Sequence, residues 1–214
     1  MSIKLIIFDL DGTLVDSSGD IADAINHAVG PYNVPQVTVR ETISLVGEGI
    51  SRLMEKIIEK KGLNADRDSL SRRFLEYYSA HLVDKTTVYP GVKETMEKLN
   101  GYKKAVISNK RQALSANILD ALGLSAYLDI IVGSDTTPER KPSPAPVRYV
   151  LANLDIKPES AVIVGDSNYD IEAGRAAGIR TVAVTYGYRP LDILRGADFI
   201  INRMDELLGI LAKI

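Results

Sequence analysis

KLIIFDLDGTLVD, residues 4–16, opens with an unbroken apolar run and closes on a cluster of carboxylates. A short continuous run of this kind, rich in β-branched residues, predicts a strand over Ile3 to Phe8 that is buried on both faces, as in a parallel sheet. Asp9 and Asp11 follow at once, which places two carboxylates at the carboxyl end of that strand, the edge where open α/β sheets bind ligands. The same letters also read as a hairpin, because Asp-Gly between apolar residues is a strong turn signal.

Further along the chain, similar runs occur at Lys104 to Ile107, Ile130 to Val132, Ala161 to Val164 and Thr181 to Val184. Helical spacing separates them, in Val92, Met96 and Leu99, in Leu114, Ile118 and Leu122, and in Val147 to Leu154 behind the Pro-rich stretch Lys141 to Pro146. This alternation predicts an α/β fold with a doubly wound, Rossmann-like parallel sheet. The interval from Asp16 to Thr87 breaks the rhythm, with helix patterns and no convincing strand. Ile21, Ala24, Ile25 and Ala28 form one amphipathic face, Ile50, Leu53, Met54, Ile57 and Ile58 a second, and Leu70, Phe74, Tyr77, Tyr78 and Leu82 a third. The expected organisation is therefore a core of residues 1–15 and 88–214 with an inserted α-helical domain over residues 16–87.

A second acidic loop follows a second buried strand in VIVGDSNYD, where Asp166 and Asp170 stand after Gly165. Alone, Asp166 reads as a turn residue and Asp170 as the cap of a helix beginning near Ile171. Two acidic loops at equivalent sheet edges imply more, since uncompensated carboxylates repel one another and a hard divalent cation with oxygen ligands removes that repulsion. The sign of the missing charge points to Mg2+. Ser108 and Asn109 end the strand AVIS and can donate hydrogen bonds to phosphate oxygens, and Lys141 can add a positive charge. Individually, either of the first two also reads as a helix N-cap, and Lys141 as a solvated loop residue.

Composition narrows the classes. The 214 residues are 45% hydrophobic and 25% charged with a formal net charge of −2, so no overall positive field attracts nucleic acid or anionic lipid. Cysteine is absent, which removes thiolate chemistry and fits a reducing compartment, with the cytoplasm as the expectation. The apolar start is too short for a signal-peptide core, and no stretch has the length of a membrane span.

Taken together, FDLDGTLVDS, Ser108, Lys141 and GDSNYDIEAGRAAG resemble, in order, the four motifs of the haloacid dehalogenase superfamily, and within it the phosphoglycolate phosphatase group. VYPGV, residues 88–92, is similar to the return from a helical cap into the core in that family. The resemblance implies a phosphatase acting on a small phosphorylated metabolite, phosphoglycolate first among them. Asp9 would attack phosphorus to form an aspartyl phosphate, and Asp11 would protonate the leaving alcohol and then activate water. Mg2+ would be held by Asp9, the Asp11 main-chain carbonyl and Asp166, with Asp170 ligating or orienting water. Ser108 and Lys141 would hold the phosphoryl group, and Gly12 and Thr13 would shape the loop. VGEGISRL, residues 46–53, resembles the group's specificity segment, in which Gly47 would permit close backbone approach to the substrate and Arg52 would meet its carboxylate; the same letters equally read as a plain interhelical turn with a solvated Arg52. A phosphosugar mutase of the β-phosphoglucomutase type shares these motifs. A phosphate-accepting signalling domain shares the residue types, but its acceptor does not follow the first strand with a helical insertion behind it.

Overall fold

A computed structural model describes residues 2–214. Contacts divide the chain into two units, Met1–Asp16 with Val88–Ile214, and Ser17–Thr87.

The strands in chain order are β1 (Leu5–Phe8), β2 (Val15–Asp16), β3 (Thr87–Val88), β4 (Lys103–Ile107), β5 (Ile130–Val132), β6 (Ala161–Gly165), β7 (Arg180–Val184) and β8 (Phe199–Ile201). Six of them form one parallel sheet in the order β5-β4-β1-β6-β7-β8. Counting only its own strands, the sheet runs 3-2-1-4-5-6, so the winding reverses between β1 and β6 and a crevice opens at their carboxyl ends. Asp-Gly at residues 11–12 therefore does not close a hairpin between adjacent strands of the sheet. Instead Leu10 gathers the loop, its carbonyl accepting from the amides of Leu14 at 2.9 Å and Val15 at 3.1 Å.

Burial on both faces explains the unbroken apolar runs. Leu5, Ile7, Ala105, Ile107 and Ile163 pack on one side with Val147, Val150 and Leu151 of the helix Ala145–Leu154 and with Ala173 and Ala177 of the helix Asn168–Ala177. Ile6, Phe8, Val106 and Val162, which alternate with them, are equally buried. Of the six strands in this sheet, β8 is the one absent from the expected set, as are the two-residue strands β2 and β3 outside it. Its run Phe199–Ile201 is apolar but only three residues long, and at the sheet edge its central Ile200 is exposed.

The second unit holds four helices, α1 (Ser18–Val29), α2 (Val39–Leu45), α3 (Gly49–Lys61) and α4 (Arg67–Ala80), where periodicity predicts three. The extra one, α2, is only seven residues long and is secured by a capping box, Thr38 accepting from the Glu41 amide while Glu41 accepts from the Thr38 amide. Leu82 is buried but lies beyond the end of α4, so the third expected face is shorter than its apolar pattern. The remaining faces are as spaced, with Ile21, Ala24, Ile25, Ala28, Leu53, Met54, Ile57, Leu70, Phe74 and Tyr78 buried and Ile50, Ile58 and Tyr77 half-buried. Buried Asp20 joins the two ends of this unit. Its carboxylate accepts from the amides of Lys85 at 3.0 Å and Thr86 at 2.8 Å and from the Thr86 hydroxyl at 2.6 Å.

Candidate active site

Parallel register brings the ends of the central strands to one edge. Phe8 stands level with Val106 on one side and Val164 on the other, so the residues that follow converge there. Asp9 remains in the ladder, its amide donating to the Val164 carbonyl at 2.9 Å. Ser108 does the same after β4, through the Val132 carbonyl at 2.9 Å. These side chains are thus fixed by backbone pairing rather than by loop packing.

Lys141, in the segment after β5, lies at the centre of the group. Its buried ammonium donates at 2.6 Å each to Asp9 Oδ1, to Asp170 Oδ1 and to the Ile107 carbonyl. Three N–H bonds are therefore matched by three acceptors, two of them charged. Carboxylate oxygens of Asp9, Asp166 and Asp170 all lie within 4.8 Å of one another, and all three residues are buried. The helix Asn168–Ala177 places Asp170 by a capping box, in which Asp170 Oδ2 accepts from the Ser167 amide at 3.1 Å and hydroxyl at 2.6 Å. That helix starts three residues before the Ile171 expected from the pattern, with Ser167 rather than Asp170 as its N-cap.

Charge at this cluster is unbalanced. Burial pushes Asp9 up to about 7, with repulsion from Asp170 and Asp11 adding to the effect and the Lys141 ammonium opposing it. Asp166 is raised well above the ordinary carboxylate value, first by burial and then by Asp9 and Asp170, against the Tyr188 amide and the Arg189 charge. Burial alone would lower Lys141, but the carboxylates of Asp170 and Asp9 outweigh it and hold the ammonium above its usual range. Three carboxylates facing one ammonium form an all-oxygen donor set that lacks positive charge, which fits a hard divalent cation such as magnesium.

Asp11 and Ser108 belong to the same edge. Ser108 is buried, and its hydroxyl accepts from the Lys110 amide at 3.1 Å. Neither Ser108 nor Asn109 caps a helix, since the next one, Gln112–Ala121, begins after Arg111. Asn109 instead ties two loops together through a 2.9 Å bond from its side-chain amide to the Lys141 carbonyl. Thr13 is fully buried, its hydroxyl has no hydrogen-bond partner among the described residues, and its carbonyl accepts from the Tyr186 hydroxyl at 2.9 Å. Gly47 and Arg52 belong to the helical unit. Gly47 has a φ of 117° just before α3, and Arg52 is exposed and pairs with Glu55 at 3.0 Å and Glu48 at 3.8 Å.

Two contributors fall outside the expected site residues. Lys110, 9% exposed, donates from Nζ to Asp11 Oδ1 at 2.8 Å, and in the sequence it looks like any lysine that starts a surface loop. The second is in the loop after β7, YGYRP at residues 186–190, whose letters read first as aromatic packing and second as a segment near the active edge of the sheet. Tyr186 packs against Tyr89 with ring centroids 4.8 Å apart, as aromatic packing predicts, but the Tyr188 amide also donates to Asp166 Oδ2 at 2.6 Å. Gly187 permits this approach, because a Cβ there would collide with Asp166 and with the Gly12 carbonyl oxygen. Gly187→Ala is therefore expected to displace the loop and cost about 1–3 kcal/mol of stability, as overpacking does. Urea unfolding curves of the two proteins measure the difference.

Residues 6–184 match the model of the haloacid dehalogenase-like hydrolases. The chain is 39% identical to a phosphoglycolate phosphatase of Aquifex aeolicus over 98% of its own length and 97% of the relative's. It is also 39% identical to the phosphoglycolate phosphatase of Chromobacterium violaceum, with 98% and 96% covered. The crystal structure of a predicted phosphoglycolate phosphatase from Haemophilus somnus superimposes with a TM-score of 0.92 at 35% identity, over 98% of each chain.

Proposed function

Because the chain belongs to the haloacid dehalogenase-like hydrolase family and is a phosphatase, we propose that it is magnesium-dependent, works through an aspartyl phosphate on Asp9, and takes 2-phosphoglycolate as its substrate. The observation that carries the mechanism is the buried triad of Asp9, Asp166 and Asp170 around Lys141. The substrate follows from the names and full-length similarity of the relatives.

Asp9, Asp166 and the Asp11 carbonyl would hold the ion, which supplies positive charge to the phosphoryl oxygens when bound. Both Asp170 oxygens already accept hydrogen bonds, from Lys141 and Ser167, which favours an orienting role over direct ligation. An Asp9 oxygen attacks phosphorus and the ester P–O bond breaks. Asp11 gives its proton to the departing alcohol oxygen and later takes one from the water that cleaves the acyl phosphate. Lys141 keeps Asp9 aimed and offsets the charge gathering on the phosphoryl group, and Ser108 donates to one of its oxygens. Phosphate release from 2-phosphoglycolate, phosphosugars and nucleotides, with magnesium and with chelator, tests the reading. Release that is fastest on 2-phosphoglycolate and abolished by chelator is expected. Equal rates in chelator would overturn the metal, and a strict need for a sugar bisphosphate would turn the enzyme into a mutase.

The raised Asp9 value gives a pH signature. Between the ordinary 3.8 and about 7 the folded chain holds a proton at Asp9 that the unfolded chain has released. Stability of the ion-free protein from this group therefore falls as pH rises through that window. A divalent ion reverses the loss by binding the ionised form, contributing about 2.7 kcal/mol at a concentration 100-fold above its Kd. The thermal shift on adding magnesium should thus be larger at pH 8 than at pH 6, and an equal or smaller shift at pH 8 would contradict the assignment.

A further inference from the structure

We propose that Lys110 determines specificity, its ammonium pairing with a carboxylate on the leaving alcohol, so that the enzyme selects phosphate esters of short 2-hydroxy acids. The inference rests on the phosphatase reading above and adds the residue that reads the non-transferred end of the substrate.

Lys110 follows Ser108 and Asn109 in the segment after β4, so the backbone pairing that fixes Ser108 also fixes its position. It is nearly buried, which is uncommon for lysine, and its Nζ donates to Asp11 Oδ1 at 2.8 Å. The transferring phosphoryl group has its own ammonium in Lys141, which is bonded to Asp9 and Asp170. Lys110 is thus a second desolvated cation beside the residue that serves the leaving group rather than beside the nucleophile.

Distance gives this placement its chemical meaning. If Asp11 protonates the leaving oxygen through Oδ1, the oxygen that Lys110 holds, the leaving oxygen stands within about 6 Å of the Lys110 ammonium, the sum of two hydrogen bonds. A carboxylate bonded directly to the ester carbon, as in a 2-hydroxy acid, places its oxygens about 3 Å from that oxygen by ordinary bond lengths. The remaining gap is one hydrogen bond. A neutral alcohol of the same size offers the ammonium nothing charged, and in a low-dielectric setting the difference between the two is amplified. Arg52, the cation expected from sequence to meet the carboxylate, is exposed and already paired with Glu48 and Glu55 on its own unit, where solvent weakens its charge.

The test compares kcat/KM for 2-phosphoglycolate with that for glycol monophosphate, in which a hydroxymethyl group replaces the carboxylate, for wild type, K110M and K110R at saturating magnesium. Wild type should prefer the carboxylate ester. K110M should lower the ratio of the two kcat/KM values by about 10–100-fold, mainly through KM, the scale of a lost charged hydrogen bond. K110R should retain most of the preference. A loss shared equally by both esters would show a structural or general role and overturn the assignment, as would an unchanged ratio. If K110M does not fold, K110Q, which keeps a donor for Asp11 without the charge, is read by the same ratio. Wild type that hydrolyses both esters equally well would sink the role of Lys110 and leave the phosphatase reading intact, whereas wild type that hydrolyses neither would sink both.

Discussion

Asp9→Asn is expected to abolish turnover, lowering kcat by at least about 10⁴-fold, the order seen when a covalent nucleophile is removed. The replacement has nearly the same shape, so it separates chemistry from packing. The introduced amide keeps an oxygen able to accept from Lys141, whose bond to Asp9 is 2.6 Å, and it removes one of three carboxylates that repel one another. The ion-free variant should therefore unfold at a temperature equal to or above that of the wild type even though it is inactive, because the charge that burial penalises is gone. Inactivity with undiminished stability would locate the defect in the reaction. Near-normal phosphate release by Asp9→Asn would refute the nucleophile. Trapping of labelled phosphate on the wild-type protein, and its absence from the variant, checks the covalent step directly.

Asp11→Asn should cost about 10²–10⁴ in rate, the range of general acid-base assistance. The loss ought to depend on the leaving group. An alkyl ester needs its oxygen protonated as the P–O bond breaks, whereas a nitrophenyl ester departs readily without help. With the aryl ester, the first half-reaction should survive and the second, which needs a base to activate water, should stall. Rapid mixing is then expected to show a burst of about one phenol per enzyme followed by slow turnover. The substituted side chain retains an oxygen that accepts from the Lys110 ammonium, so the nearly buried cation is not left without its 2.8 Å bond. A uniform slowing on both esters with no burst would remove Asp11 from both proton transfers.

Much of the sheet is legible in the sequence because strands buried on both faces leave an unbroken apolar signature, and each of the five expected strands lies within a residue or two of its observed span. β8 is also a run of three apolar residues, Phe199–Ile201, no shorter than that of the other edge strand β5, so nothing in its letters explains its absence from the expected strands. α2 escapes for a physical reason. Seven residues give too few turns for periodicity to register, although Thr38 and Glu41 stand at capping-box spacing and can be read as one. At the site, Asp9, Asp11, Ser108, Asp166 and Asp170 are visible because short polar stretches interrupt apolar strands at one end. Lys110 and the Tyr188 amide are not, for two separate physical reasons. A lysine's burial depends on what folds over it, and a backbone donor has no letter of its own.

The buried Asp20 carboxylate has a consequence that reaches beyond stability. By gripping Lys85 and Thr86 from the first turn of α1, it makes the helical insertion end close to where it began. A segment closed on itself in this way adds little chain entropy as it grows, since the cost rises only with the logarithm of its length. Helices between Asp20 and Lys85 can lengthen, shrink or be exchanged while this closure persists, so the insertion can diverge as a self-contained cassette whose clasp is one side chain.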